Sequence, residues 1–352
     1  MTVLVTGAAG FIGANFVYHL LDARPAERVV GLDKLTYAGN LDNLSAISEA
    51  CRERFTFQKA DITDAEAIAG LFAKHDFAAV VNFAAETHVD RSIHGPQVFL
   101  ETNILGTHVL LEACKKAWFV DGKWLAGHRF LQVSTDEVYG SLGPAGLFSE
   151  STPLDPHSPY SASKASADLV VQAYHDTYGM PTAITRCSNN YGPYQFPEKL
   201  IPLMIRNALA HEKLPVYGDG KHVRDWLHVS DHCRAIDLVL ERAAPGSVYN
   251  IGGMNEHENI AIVKLIIKKL NALTHDAGIN ERLIQHVEDR LGHDRRYAID
   301  ASKIGRELGW RPQIEFAEGI ESTVAWYLEN RDWTEKVVSG EYMEFYAKNY
   351  TL

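Results

Sequence analysis

The chain opens Thr2-Val-Leu-Val-Thr6-Gly-Ala-Ala-Gly-Phe-Ile-Gly13. A short apolar strand runs into glycines at positions 7, 10 and 13, and Phe11–Leu21 continues with apolar residues at helical spacing. The spacing is G-x-x-G-x-x-G rather than G-x-G-x-x-G, but the physics is the same. The glycines allow a tight turn and a close backbone approach, and a pyrophosphate can sit at the helix N-terminus. A glycine triplet alone occurs in many turns. Here a strand precedes it, a helix follows it, and Asp33 ends a second strand 20 residues beyond Gly13. A carboxylate there accepts from ribose hydroxyls and repels a 2′-phosphate, which favours NAD over NADP, with Lys34 as the counter-argument.

Working outward, strands and helices alternate. Val3–Val5, Val29–Leu32, Phe55–Lys59, Val80–Phe83 and Phe130–Val133 read as short buried strands. Ala65–Lys74 and a longer stretch, Pro96–Lys116, read as helices between them. Thr182–Arg186 reads as a sixth strand and Val248–Gly252 as a late seventh. This order predicts an α/β fold with a doubly wound parallel sheet of the Rossmann type. Asn189–His222 is rich in Pro, Gly and Tyr around one helix at Pro202–His211. Helix Ile260–Leu273, a strand-like Arg282–His286 and a charged loop, Val287–Arg296, follow later. Together these predict a smaller, discontinuous α/β substrate-binding lid. The expected division is 1–188 with 223–253 for the cofactor domain, 189–222 with 254–330 for the lid, and 331–352 as a tail.

Bulk properties narrow the class. With 352 residues, 46% hydrophobic and 22% charged, the chain is long enough for one large or two modest domains. A net charge of −11 argues against a nucleic-acid partner. Cys51, Cys114, Cys187 and Cys233 are far apart and show no metal or redox spacing, so free thiols are expected. The chain starts directly in a strand, with no apolar run near the roughly 18 residues of a membrane span. A reducing cytoplasm is the expected location.

Chemistry concentrates in Leu131-Gln-Val-Ser-Thr-Asp-Glu-Val-Tyr-Gly140, where Asp136 and Glu137 follow a buried strand beside Ser134 and Thr135. Polar groups at the C-terminal ends of such strands face the ligand crevice. Tyr160-Ser-Ala-Ser-Lys164 places a phenol and an ammonium one helical turn apart. The nearby ammonium favours phenolate, which can take a proton from an alcohol. Asp61 and Ile62 end the third strand region, where they could hold an adenine, although helix capping there belongs more naturally to Thr63 or Asp64. Small residues Ala84 and Ala85 suit a backbone passing close to a cofactor, and Glu86, Thr87 and His88 follow them.

These residues resemble the extended short-chain dehydrogenase/reductase family. Asp33–Leu41, Ala84–Ser92, Ser134–Gly140, Arg186–Leu200, Tyr217–Trp226 and Gly292–Asp300 resemble, within it, the dTDP-glucose 4,6-dehydratases. The Asp-Glu pair after Thr135 is the most specific element, since simple sugar-nucleotide epimerases lack an acid and a base there. The resemblance implies an internal redox cycle. C4 is oxidised with Tyr160 as base and NAD+ as acceptor, Glu137 removes the C5 proton, and Asp136 protonates the C6 hydroxyl that leaves. Hydride then returns to C6.

The resemblance also implies a cofactor shell of Gly7, Gly10, Phe11, Ile12, Gly13, Asp33, Lys34, Thr36, Asp61, Ile62, Ala84, Ala85, Thr102, Tyr160, Lys164 and Asn190. For the sugar nucleotide it implies Thr87, His88, Thr135, Asn189, Lys199, Leu200, Pro215, Val216, Tyr217, Arg224, Asn259 and Asp289 to His293, Arg290 included. No metal is expected. Local positive charge for a diphosphate would come from Lys199, Arg224, Arg290, His293, Arg295 and Arg296, of which the last two could instead pair with Asp294 and Asp300. Leu291 stands where the family usually has proline, and Trp118–His128 matches nothing. A homodimer through the helices near Thr102–Lys116 and Tyr160–Tyr178 is implied too. The rival readings are a 4-epimerase or UDP-glucuronate decarboxylase, which the paired acids disfavour, and a silent NAD-binding sensor, which intact Tyr160, Lys164, Asp136 and Glu137 disfavour.

Overall fold

A computed structural model describes residues 1–338. Its main sheet has seven strands: β1 (Thr2–Thr6), β2 (Arg28–Asp33), β3 (Phe55–Lys59), β4 (Phe77–Asn82), β5 (Arg129–Thr135), β6 (Thr182–Cys187) and β7 (Ser247–Ile251). They lie in the order β7-β6-β5-β4-β1-β2-β3, every pair parallel. The chain winds outward from β1 to β3, then crosses to β4 on the other side of β1. Strand order therefore reverses at β1, and ligands bind at such a switch point, beyond the carboxyl ends of the strands.

Alternation along each strand decides which helices cover which face. Val3, Val5 and Val29 pack with Phe16, Val17 and Leu20 of helix Phe11–Ala23 and with Ile236 and Val239 of helix Val229–Arg242. Leu4, Val30, Leu32, Val80 and Phe130 point the other way, onto Ile68, Leu110, Leu111 and Val171. A third cluster lies off the sheet. Helices Leu200–Leu209, Asn259–Thr274 and Phe316–Glu329 close it around Leu214 and Val216. It includes a parallel strand pair, Leu214–Tyr217 with Ile284–Val287. Each fully buried Leu or Ile in these clusters contributes about 1.5–3 kcal/mol relative to exposure.

The expected seven strands are present with small shifts of boundary, although β3, at the sheet edge, has no buried residue where a buried strand was expected, and four segments differ from expectation. The stretch Pro96–Lys116 is not one helix: Pro96–Leu100 and Thr107–Trp118 flank a π-helical turn, Glu101–Gly106. In that turn Asn103 binds Glu86 from both ends of its amide (2.8 and 3.0 Å) and donates to Ser163 Oγ at 2.8 Å. These side-chain bonds accompany the wider turn. Gly106 is needed beside it, because a Cβ there would lie 2.5 Å from Ile62. Trp118–His128 contains a small hairpin, Phe119–Val120 with Lys123–Trp124, fastened by Trp124 Nε1 donating to the Tyr178 carbonyl at 2.8 Å. Arg282–His286 begins as a 3-10 turn, Glu281–Leu283, and is extended only from Ile284. Asn189–His222 holds two short strands besides its helix.

Within the expected tail, helix Arg331–Val337 buries Trp333, whose indole donates to Asn43 Oδ1 at 2.8 Å. The rest of that tail, 339–352, lies outside the described residues. All four cysteines are free thiols, three of them buried. No helix among the described residues is long and apolar enough to cross a membrane.

Candidate active site

The carboxyl ends of β1, β2, β4, β5 and β6 open onto a cavity of about 300 Å³. Gly7 turns the chain out of β1 with φ +65°, and a Cβ there would sit 2.8 Å from the Ala84 backbone nitrogen. Gly13 is as tightly placed, since its Cβ would lie 2.1 Å from the Gly7 carbonyl oxygen. A Cβ on Gly10 would meet only that carbonyl oxygen within 4 Å, so it would stand in the cavity where a pyrophosphate would approach the helix N-terminus. The residues present therefore fit a dinucleotide. Every residue named above for the cofactor lines this cavity.

At its far end, Asp33 Oδ2 accepts from Ala9 N at 3.0 Å and Oδ1 from Leu35 N at 2.8 Å. Burial raises its carboxyl pKa against those bonds. Lys34 is drawn aside into an ion pair with Asp61 at 2.6 Å. Burial opposes the Asp61 carboxylate, yet Lys34 and the Thr63 amide hold it below its ordinary range. Helix capping falls to Asp64, which accepts from Glu66 N and Ala67 N.

At the near end, β5 finishes at Thr135, and Asp136 and Glu137 open a 3-10 turn, Asp136–Tyr139. Thr135 Oγ1 accepts from Glu137 N at 3.2 Å and donates to Asp136 Oδ1 at 3.3 Å. Asp136 is 2% exposed. Burial, then the charges of Glu137 and Asp225, push its pKa well above the ordinary aspartate value. Burial also raises Glu137, but Arg224, Lys199 and Arg290 pull it back. Both carboxyls are thus raised by burial, and Glu137 meets more opposing cations than Asp136 does.

Tyr160 and Lys164 reach the same cavity from helix Pro159–Tyr178, which starts with a capping box at Ser158. Lys164 Nζ donates to the Val133 carbonyl at 2.8 Å. Burial lowers its pKa while Asp168 works to keep it charged. Burial and the Glu137 charge raise the Tyr160 phenol well above its ordinary value, with a Thr135 hydrogen bond acting the other way.

A second cavity, about 160 Å³, opens beside the first. Thr87, Glu137, Asn189, Glu198 and Lys199 line both. Apart from Thr135, which lines the first cavity, the residues named for the sugar nucleotide in the 87–259 range line the second, as do Arg290, Gly292 and His293. His88 also caps helix Val89–His94 by accepting from Arg91 N, and burial holds its ring neutral, far below the ordinary histidine pKa. Lys199 Nζ donates to the Thr87 carbonyl at 3.0 Å. Arg224 lies over the Tyr297 ring at 4.2 Å, and Arg290 pairs with Asp90 at 2.5 Å.

Arg295 and Arg296 are not brought to this wall. Arg295 forms a two-pronged pair with Asp219 (2.8 and 2.9 Å), and Arg296 does the same with Glu256 (2.7 and 3.0 Å). The expected alternative partners are also displaced: Asp294 binds His157 and Tyr297, and Asp300 caps Ser302. Leu291 is 76% exposed at the loop tip. Sequence reading missed Glu198, a buried carboxylate that accepts from Tyr37 at 3.0 Å and faces Arg91 at 3.4 Å. Its only signal was its place beside Lys199. Asp225 was missed as well. It accepts from Gly253 N and Asn255 N and sets the charge behind Asp136, which no spacing in the chain reveals.

Comparison with known proteins adds to this geometry. The profile of the GDP-mannose 4,6 dehydratase family matches residues 4–323. A dTDP-glucose 4,6-dehydratase of Xanthomonas campestris pv. campestris is 54% identical over 344 residues, covering 97% of each chain. One from Escherichia coli is 52% identical over 356 residues, covering 97% of this chain and 98% of its own. The crystal structure of a Streptomyces venezuelae dTDP-glucose 4,6-dehydratase, with NAD and dTDP bound, superposes with a TM-score of 0.88. It is 49% identical and covers 96% of this chain and 100% of its own.

Proposed function

The chain belongs to the GDP-mannose 4,6 dehydratase family, and from that premise we propose that it converts dTDP-glucose to dTDP-4-keto-6-deoxyglucose and water. It is an NAD-dependent hydro-lyase of the short-chain dehydrogenase/reductase type. The observation that carries the assignment of roles is the difference between the neighbours of Asp136 and Glu137: burial raises both carboxyls, but Lys199 and Arg290 oppose it at Glu137, whereas Glu137 and Asp225 add to it at Asp136.

NAD would be held along the glycine turn and Asp33 and would supply the hydride chemistry, its oxidised form accepting from C4 and its reduced form returning hydride to C6. The protein's own groups move the protons. Tyr160 takes the C4 hydroxyl proton, with the Thr135 hydrogen bond acting against the burial that disfavours phenolate. The C4 ketone acidifies C5–H, which Glu137 removes, its negative charge supported by Arg224, Lys199 and Arg290. Asp136, kept protonated by burial and by Asp225, gives its proton to the departing C6 hydroxyl. Glu137 returns its proton to C5 as hydride returns to C6, and the proton held by Tyr160 replaces the one Asp136 gave up, so no outside reductant is consumed.

Arg224, Arg290 and Lys199 are the positive charges placed for the diphosphate, and Tyr217 is a flat surface for the base. We assign the cofactor domain to 1–188 with 223–253 and the sugar-nucleotide domain to 189–222 with 254–330. A homodimer through the segments near Thr102–Lys116 and Tyr160–Tyr178 is supported by Leu105, in the π-helical turn, and Leu169, in helix Pro159–Tyr178, each 56% exposed. A cytoplasmic location agrees with four free thiols.

The test is mass spectrometry of dTDP-glucose incubated with the purified protein without added reductant. A product lighter by one water, with no net NADH, is expected. An unchanged mass with a new sugar isomer would replace this reading with an epimerase.

A further inference from the structure

We propose that His222, Asp289 and His293 form a binding site for a zinc-class divalent transition cation at the edge of the second cavity. His222 lies in the turn before strand Val223–His228. Asp289 and His293 lie four residues apart in the loop after strand Ile284–Val287. One ligand atom from each residue lies within 4.8 Å of the other two. His293 Nδ1 stands 2.6 Å from Asp289 Oδ1, and His222 Nε2 stands 3.4 Å from Asp289 Oδ2. Around a tetrahedral zinc with bonds near 2 Å, ligand atoms sit about 3.3 Å apart. The His222–Asp289 separation already matches that edge, and the His293–Asp289 pair must open by about 0.7 Å to admit an ion.

Three further observations suit a metal. The His222 and His293 rings stack at 3.7 Å and 15°, so both present nitrogens toward the same carboxylate. The His222 ring is buried, and its Nδ1 has no hydrogen-bond partner among the described residues. No second bond therefore pins the ring against the small turn that ligation needs. The His293 side chain is only 8% exposed, so the second imidazole is held in place beside the carboxylate rather than free in solvent.

The groups that would oppose a cation are engaged elsewhere. Arg295 pairs with Asp219, Arg290 with Asp90, and Arg224 donates to the carbonyls of Val223, Asp294 and Arg295. The Asp289 side chain is 43% exposed, which gives an ion a way in. Two imidazoles, one carboxylate and one open position select zinc, nickel or copper over magnesium and calcium, which demand more oxygens. An ion there would fasten the loop carrying Arg290 and His293 to the strand behind it.

The experiment is calorimetric titration of the untagged, chelator-treated NAD-loaded protein with Zn2+ alone, and with Mg2+ as the control. Wild type is expected to show one saturable Zn2+ site per chain and no Mg2+ binding. His222→Gln and Asp289→Asn should each weaken that site at least tenfold while unfolding at unchanged temperature. Co2+ should give the intense visible bands of a tetrahedral site in wild type and not in His222→Gln. No saturable site in wild type, or equal binding in both variants, would overturn the proposal. None of these readouts depends on dehydratase turnover, so they stand or fall separately from the proposed reaction.

Discussion

The Tyr37 phenol donates to Glu198 Oε1 at 3.0 Å, across 161 positions of chain. Tyr37 sits in the loop that follows Asp33 at the cofactor cavity, and Glu198 precedes Lys199 at the mouth shared by both cavities. The Arg91 guanidinium covers the Tyr37 ring at 3.7 Å and meets Glu198 at 3.4 Å. One buried contact therefore joins the cofactor loop to the substrate wall. Tyr37→Phe removes a bond to a charged, buried acceptor, a loss of about 1.5–3 kcal/mol. We expect NAD to bind at least tenfold more weakly, with some NADH escaping into solution during turnover. Fluorescence of the filtrate would show it; NAD affinity equal to wild type would mean that the contact is only local packing.

Asp136→Asn leaves the shape of the site but provides no acid for the C6 hydroxyl. Dehydration should slow by about 10²–10⁴-fold, with C4 oxidation retained, so enzyme-bound NADH should accumulate after substrate is added. Glu137→Gln should instead abolish exchange of the C5 hydrogen with deuterated solvent. Stopped-flow absorbance and NMR of recovered sugar nucleotide separate the two. Loss of C5 exchange in Asp136→Asn with retention in Glu137→Gln would reverse the assigned roles.

The pH profile follows from the same pair. Glu137 must be ionised and its pKa is raised, so the acid limb should lie above the ordinary glutamate value. Asp136 must be protonated and its pKa is pushed well up, so activity should fall again on the alkaline side. Stability has its own sign. Between the unfolded and folded pKa values of Asp136 only the folded state keeps the proton, so its contribution declines as pH rises through that interval. Asp136→Asn should therefore stabilise the protein at neutral pH by about 1 kcal/mol, or roughly 2 °C in Tm, and the gain should shrink toward acid. Calorimetry at two pH values checks this.

Cofactor choice should rest on Asp33. Its two oxygens are already engaged by Ala9 N and Leu35 N, and Lys34 is paired with Asp61, so no free positive charge offsets the carboxylate. Asp33→Asn should reduce the preference for NAD over NADP by roughly 10- to 100-fold, equivalent to about 1.4–2.8 kcal/mol. Equilibrium binding of both cofactors measures it, and an unchanged ratio would assign discrimination to other residues.

Much of the fold was legible because parallel strands are short, apolar and bracketed by glycine or polar residues. Val3–Val5 and Thr182–Arg186 needed no tertiary information, whereas Phe55–Lys59, expected to be buried, became the exposed edge strand β3 because only folding set the strand order. The π-helical turn at Glu101–Gly106 was not legible, because it is accompanied by Asn103 bonds to Glu86 and Ser163, partners 17 and 60 positions away. Arg295 and Arg296 were misjudged for a related reason. Their charge suggested a diphosphate, but their partners, Asp219 in a turn and Glu256 in a short strand, are brought near only by folding.

The order of glycines, acids and apolar strands by itself determined the parallel sheet, the dinucleotide turn and the presence of Asp136, Glu137, Tyr160 and Lys164 near one crevice. Those properties are local, since each depends on a residue type at a set distance from a strand end. Only the tertiary structure decided how the carboxyls differ. The Asp225 charge acts on Asp136, Arg224 acts on both carboxyls, and Lys199 and Arg290 act on Glu137, and all four come from segments distant in sequence. In a buried site of low dielectric, such neighbours set protonation, and their positions cannot be read from spacing along the chain.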